Sequence, residues 1–409
     1  MKKAIIYVGN FFYPDGNAAG KRVYGNVKVI EECGYVPIIF CFKKNQTNYI
    51  ERSIIDGVIT YTIPYSDGIK RLNNRKTYNA FKSIYREYSA QYEISAVIMY
   101  TTMGTFDLNR MIIFYCRREK TKTIYDFCDY FDVIQKDNLF KYFIKSRDLK
   151  ILKQSVLEQC DGIIAISSFL RDFVQRECPK VIIPPLSVAR CEKKKIIEHS
   201  DSITISYASY VSDKNRPVAE WKDRIDLMID IFYELKINYH HEDFLLKFIG
   251  FTESDLIDML PLDLKEEYRK KITELGKQIV FLGQCENRAA QNEIRNSDYT
   301  ILLRDSKIST NAGFPTKISE SLSLGVPVIS NLTSDIGDYV INNINGIIVP
   351  GPESIEKTIK IIDGIIKEGN KKSQKLRDET INQSPFFYMN YVERMGLFLD
   401  KIRGKRNDF

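Results

Sequence analysis

Short apolar runs alternate with amphipathic stripes from the first residues onward. This predicts a layered α/β protein with mostly parallel sheets. Ala4–Val8 is a compact apolar run closed by Gly9, and Ala19, Val23, Val27 and Ile30 then share one helical face. Gly34 supplies the helix stop and Pro37–Phe42 a second strand, completing one βαβ unit. Ser95–Tyr100, Lys122–Phe127, Gly162–Ser167 and Lys180–Pro185 repeat the strand pattern, with an amphipathic segment around Leu108–Arg118 and a helix starting near Ser168.

Residues 184–202 mix prolines, a lysine run and polar positions without a period, and are expected to connect two domains. A second αβ series opens at Ile203–Ser209. Ile225, Met228, Ile229, Phe232 and Leu235 form its first helix face, and residues 244–250, 279–283, 299–303, 326–330 and 345–350 supply further strands. Ile355, Ile359, Ile362 and Ile366 mark a late helix capped by Ser354, and residues 384–404 read as one long amphipathic helix. The expected organisation is a Rossmann-like domain over 1–190, a second over 203–383, and a terminal helix over 384–409.

Composition narrows the function classes. A chain of 409 residues exceeds one ordinary core, so two domains are the default. The apolar run Val36–Phe42 is far short of the ~20 residues that span a bilayer. "MKKAIIYVG" lacks a cleavage pattern and reads as the first strand, which places the protein in the cytoplasm. Eight cysteines without a CxxC pair fit reduced thiols, and three histidines without ligand spacing argue against zinc. The net charge of +7 is spread over short runs, with no basic tract for nucleic acid, although such a surface would suit the inner face of an anionic membrane.

Two stretches carry candidate chemistry. "DGNAAGKRVYGN" (15–26) nearly spells a P-loop, but Gly16 and Gly20 are one residue too close and Arg22 stands where the magnesium-binding hydroxyl belongs. Gly16 and Asn17 remain candidates for ligand contact, and Lys21 and Arg22 at the helix start would be justified by a bound anion; a plain turn with solvated cations is the alternative. In "LLRDSKISTNAGFPTKISESLSLGVPVIS" (302–330), Arg304 and Asp305 follow a strand on the edge where open α/β sheets bind ligands. Asn311, Gly313, Phe314, Pro315 and Thr316 then lead into a helix whose first N–H groups, with Lys317, would hold an anion while Glu320 reaches sugar hydroxyls. A capped turn with a surface lysine and glutamate fits the same residues. In the first half, Asp126 ends a strand as a candidate to orient or deprotonate a hydroxyl; Asp129 and Asp132 follow it, and a cap or loop carboxylate is the alternative.

"GFPTKISESLSLGVPVIS" resembles the donor-binding segment of GT-B glycosyltransferases, particularly glycosyltransferase family 4. Gly313, Phe314, Glu320, Gly325, Pro327 and Val328 match that pattern. "KDRIDLMIDIF", "IVFLG", "NSDYTILL", "NGIIVP" and, in the first half, "CDGIIAISSFLRDFV" extend the likeness to most of the chain. It departs in two places. Ala312 stands where the family's first Glu would meet the donor sugar, with Asp305 or Glu286 as substitutes, and Pro315-Thr316-Lys317 replaces Gly-Leu-Pro.

The resemblance implies two Rossmann-like domains facing a cleft, an N-terminal acceptor domain and a C-terminal donor domain, with the last helix returning to the first. The implied reaction transfers a hexosyl group from a UDP- or GDP-linked sugar to a hydroxyl of a saccharide or lipid-linked saccharide, with retention, in surface polysaccharide or glycoconjugate assembly. It calls for no cofactor beyond that co-substrate. Arg304, Lys317 and Lys214 are the candidate cations for the diphosphate, a solvated loop lysine being the alternative for Lys214. No two aspartates stand two apart, which favours a metal-independent site. A sugar-nucleotide epimerase and a non-catalytic nucleotide or glycan module are the competing readings; few histidines weigh against the first, and Ala312 would mark the second.

Overall fold

The structure is a computed structural model. It describes residues 1–43, 49–64, 70–131, 139–191, 202–210, 215 and 217–404. The chain divides into two compact units, Met1–Val188 together with Phe387–Phe409, and Ala189–Phe386. Within the expected connection at 184–202, residues 192–201 lie outside the described residues, as do Asp132 and Lys214.

Unit 1 contains strands β1 (Lys3–Gly9), β2 (Val36–Lys43), β3 (Glu51–Ile55), β4 (Val58–Pro64), β5 (Glu93–Tyr100), β6 (Lys122–Phe127), β7 (Gly162–Ala165) and β8 (Lys180–Ile182). They form one sheet in the order β3-β4-β2-β1-β5-β6-β7-β8. Every pairing is parallel except β3 with β4. Its helices are α1 (Ala18–Glu32), α2 (Lys70–Ser89), α3 (Phe106–Arg118), α4 (Leu139–Ile151) and α5 (Ser168–Phe173). Ile5, Val8, Ile39, Val97, Ile98, Ile124 and Ile164 are almost fully buried, because helices on both faces demand apolar strands without alternation.

Unit 2 holds β9 (Ile203–Ala208), β10 (Phe244–Ile249), β11 (Ile279–Phe281), β12 (Tyr299–Leu302), β13 (Val328–Ser330) and β14 (Gly346–Ile348). They form a fully parallel sheet ordered β11-β10-β9-β12-β13-β14. Its helices are α6 (Ile225–Ile237), α7 (Glu253–Met259), α8 (Lys265–Leu275), α9 (Asn287–Arg295), α10 (Ile308–Ala312), α11 (Thr316–Ser323), α12 (Ile355–Glu368) and α13 (Asn370–Gln383). The last helix, α14 (Val392–Ile402), packs in unit 1.

Two elements differ from the sequence expectation. The hairpin β3–β4 escapes a search for buried runs because β3 is nearly all exposed. Its signal is the Asp56-Gly57 turn, where both residues take positive φ (49° and 82°), as a tight hairpin requires. The terminal segment is also not one helix. Ser384 ends α13 in the left-handed region at φ 38°, Pro385 cannot continue a helix, and residues 388–391 form a separate short turn before α14.

Gly325 stops α11 at φ +74°, where a Cβ would lie 2.8 Å from Ile381 Cγ1 and 2.9 Å from Cys191 Sγ. Gly325→Ala is therefore expected to destabilise unit 2 by more than about 1 kcal/mol, through both strain and crowding. Urea unfolding checks this, and an unchanged midpoint would contradict it.

Candidate active site

The strand order of unit 2 reverses direction between β9 and β12, so the loops after these neighbours diverge at the carboxyl edge of the sheet. The β9–β12 register covers only Ile205 with Tyr299 and Ser206 with Thr300. Past that point the chain before α6 fills the gap. The Arg224 amide donates to the Leu303 carbonyl at 2.8 Å, and two pairs of charges cross between the same segments.

In the first crossing, Arg304 Nε donates to Asp223 Oδ1 at 2.6 Å. In the second, Arg224 donates to Asp305 Oδ1 at 2.8 Å while also gripping Asp226. The other Asp223 oxygen accepts from Lys317 Nζ at 2.7 Å and from the Tyr207 hydroxyl at 2.8 Å. Lys317 also lies 5.2 Å from the centre of the Tyr207 ring. Asp223 is 8% exposed. Burial alone would raise its pKa, but Lys317 and Arg304 outweigh that and hold it well below the ordinary carboxylate range. One carboxylate against two cations leaves a net charge of +1 at the mouth of the switch.

The remaining candidates of this segment fall into distinct places. Asp305 is engaged by Arg224 and by Lys307 at 2.9 Å; burial pushes its carboxyl up, yet the two cations bring it below the usual range. Asn311 ties two loops, donating to Ser306 Oγ at 3.0 Å and accepting from the Ser334 amide at 3.1 Å. Gly313 and Pro315 form the extended approach to α11, and Thr316 is its exposed first residue. Glu320 sits one turn along, half-buried, and Ala312 is fully buried. Phe314 is placed differently from the expectation. Its ring is 5% exposed and packs on Tyr339 and Phe386 with centroids 5.3 and 5.6 Å away, so it belongs to the core under the loop and not to a ligand wall.

Unit 1 has its own switch, between β1 and β5. The loop after β1 crosses close to β5, where a Cβ on Gly9 would meet the Tyr100 carbonyl at 1.9 Å. The glycine-rich stretch receives a structural explanation here. Asn17 caps α1, accepting from the Gly20 amide at 2.7 Å, and a Cβ on Gly20 would lie 2.0 Å from the Phe12 carbonyl. Gly16 is exposed and sits against Phe12. Arg22 does not face solvent to await an anion. It is 3% exposed and paired with Asp126 at 2.7 Å, with a further bond to the Ile183 carbonyl.

Asp126 is likewise interior, at 1% exposure. It accepts from Arg22, from the Tyr7 hydroxyl and from Cys128 Sγ at 3.2 Å. A carboxylate enclosed in this way anchors β6 to α1 and β1, which corrects the expectation of a base reaching an acceptor hydroxyl. Asp129, three residues on, is exposed. Sequence reasoning passed over Asp223 and Tyr207. The signal available was a buried-strand tyrosine and an acid just before a helix, neither distinctive without the fold.

Residues 217–383 match the family described as Glycosyl transferases group 1. Among solved structures the chain is similar to HepE of Anabaena in complex with UDP, at 12% identity over 97% of this chain and 100% of that one, with a TM-score of 0.61. It is similar to sucrose-phosphate synthase of Thermosynechococcus elongatus, at 14% identity over 99% and 100% of the two chains, with a TM-score of 0.64. The apo lipopolysaccharide outer core galactosyltransferase WaaB shares 14% identity over 98% and 99%, with a TM-score of 0.61. No curated protein matches by sequence.

A carboxyl whose folded pKa is depressed adds stability above its unfolded value, about 3.9, and loses it as pH falls toward the folded value. Unit 2 is therefore expected to lose stability below about pH 4, and Asp223→Asn to flatten that limb. Urea melts across pH 2.5–6 measure it; an identical acid limb in the variant would contradict the assignment.

Proposed function

We propose that the protein, which has a GT-B-like fold and matches the group 1 family over residues 217–383, is a glycosyltransferase that moves a hexosyl group from a nucleotide-diphosphate sugar to an acceptor hydroxyl, with retention and without a metal. The observation that carries this reading is the convergence of Arg304 and Lys317 at the switch point of unit 2. As the sugar–phosphate bond breaks, the departing diphosphate gains charge, and fixed cations near it lower the barrier. The N-terminal amides of α11 add donors on the same side, and Glu320 would take hydroxyls of the nucleoside or sugar. Gly313, Pro315 and Thr316 form the approach to that helix end, with Asn311 bracing the loops behind it. UDP or GDP is the proposed leaving group; the HepE structure holds UDP.

Unit 1 is the proposed acceptor domain, with Gly16 and Asp129 as the candidates that remain at its carboxyl edge. The acceptor would be a saccharide or a lipid-linked saccharide in surface polysaccharide or glycoconjugate assembly, met at the inner face of a membrane. Two neighbouring helices of unit 1 support a membrane contact. Arg110, Phe114, Arg117 and Arg118 make one exposed stripe of α3, and Phe143, Ile144, Arg147 and Lys150 one of α4. The stripes adjoin, since Arg147 reaches Asp107 of α3 at 2.9 Å. Phe114 and Phe143 are 62% and 73% exposed. Aromatic rings flanked by cations fit an anionic lipid surface, with rings inserting and cations held at the headgroups.

The donor reading is tested by a melting panel of UDP, GDP, ADP and CMP with their sugar conjugates. A ligand at ~100 times its dissociation constant stabilises the fold by about 2.7 kcal/mol. Arg304→Ala and Lys317→Ala should each lower transfer about a hundredfold, roughly 3 kcal/mol of transition-state stabilisation, and chelator should leave the rate unchanged. No shift with any nucleotide, or full transfer by both variants, would sink the assignment. For the membrane contact, Phe114→Ser with Phe143→Ser should cut co-sedimentation with phosphatidylglycerol-containing vesicles roughly fivefold. Equal sedimentation of both proteins would contradict it.

A further inference from the structure

Asp223 has no part in the chemistry read above, yet it is the group through which both proposed donor cations are held. Arg304 Nε reaches one of its oxygens at 2.6 Å and Lys317 Nζ the other at 2.7 Å, from positions 81 and 94 residues away in the chain. The Tyr207 hydroxyl, from the strand beneath, donates to the second oxygen at 2.8 Å. Tyr207 is 2% exposed, so the carboxylate is fixed from below by a group that cannot swing away. Arg224, the next residue, is locked by its amide to the Leu303 carbonyl and by its guanidinium to Asp305 and Asp226. The backbone carrying Asp223 is thereby pinned to the loop carrying Arg304.

We propose that Asp223 is a positioning residue for sugar transfer, which sets Arg304 and Lys317 in their working geometry and restrains their grip on the nucleoside diphosphate. This rests on reading those two cations as the groups that meet the diphosphate. Two like charges brought to one spot repel, and without an anion between them their long side chains spread apart. Asp223 supplies that anion permanently, so the cations are ordered before donor arrives, and little reorganisation is left for the transition state. The same negative charge opposes the diphosphate. It lowers the attraction for donor and for the released nucleoside diphosphate alike, so part of the binding is withheld from the ground state.

The two effects separate in measurement. Asp223→Asn keeps the side-chain shape but removes the charge. UDP and GDP are titrated calorimetrically against both proteins at low salt, and turnover is followed as nucleoside diphosphate released from the matching sugar conjugate. The variant should bind its nucleoside diphosphate about threefold or more tightly, while kcat falls about tenfold or more. A purely structural role would weaken binding and turnover together, and Asp223→Glu, which retains the charge, should recover part of kcat.

Melting temperatures identify any variant that fails to fold. In that event Tyr207→Phe, which removes only the neutral donor to the same carboxylate, should lower kcat severalfold with nucleotide affinity unchanged. Parallel loss of affinity and kcat in Asp223→Asn, or no change in either, would overturn the proposal; an unaltered Tyr207→Phe would do so where the first variant is unfolded. Arg304→Ala and Lys317→Ala separate this from failure of the donor site. If they reduce affinity and transfer while Asp223→Asn changes nothing, only the role of Asp223 falls. If they too are without effect, the donor reading itself fails.

Discussion

Unit 2 depends on one carboxylate at the place where its sheet reverses direction. Beyond Ser206 and Thr300 the ladder between β9 and β12 ends, and other contacts must join the following loops, the Arg224 amide to the Leu303 carbonyl among them. Asp223 does so with charge, joining the segment before α6 to the loop after β12 and to the first turn of α11. Isolated burial of such a group would cost several kcal/mol, so it persists ionised only because two cations and a hydroxyl face it. The crevice that a parallel sheet must leave at its switch point is therefore lined, and its lining carries an excess of positive charge suited to an anionic ligand.

Unit 1 solves the same topological problem in the opposite way. Arg22 and Asp126 neutralise one another in the interior, with Tyr7 and Asn26 completing their hydrogen bonds. That pair leaves no charge over for a ligand, and it acts as a clasp between α1 and β6. The contrast shows why a strand-end aspartate alone does not identify a base. Asp126 and Asp223 are both buried acids near a sheet edge, and they differ in whether their cationic partners open toward solvent; Lys317 is 27% exposed at its side chain, Arg22 only 3%.

The fold was legible because parallel strands buried on both faces write themselves as uninterrupted apolar runs, such as "AIIYV" and "GIIA". The exposed strand Glu51–Ile55 carries no such run, and the terminal helix reads too long because the apolar residues before Val392 pack without forming α-helix. At the site, the helix start at Thr316 and the cations on either side were legible from glycine, proline and lysine spacing. The partners were not. Asp223 and Tyr207 acquire meaning only when β9 and β12 become neighbours, and the ring of Phe314 joins the core only when Tyr339 and Phe386 arrive beside it. Gly16 and Gly20 looked like phosphate-binding glycines, whereas Gly20 is required by the closeness of the Phe12 carbonyl.

On this reading a nucleoside diphosphate settles at the switch point of unit 2, against Arg304, Lys317 and the amides of α11. Hydrogen–deuterium exchange with and without UDP or GDP tests it directly, because amides that gain an anion or lose solvent exchange more slowly. Exchange should slow in residues 303–320 and 217–226, with the amides at the start of α11 among the most protected. Protection confined to other segments, with these two unchanged under saturating nucleotide, would contradict it.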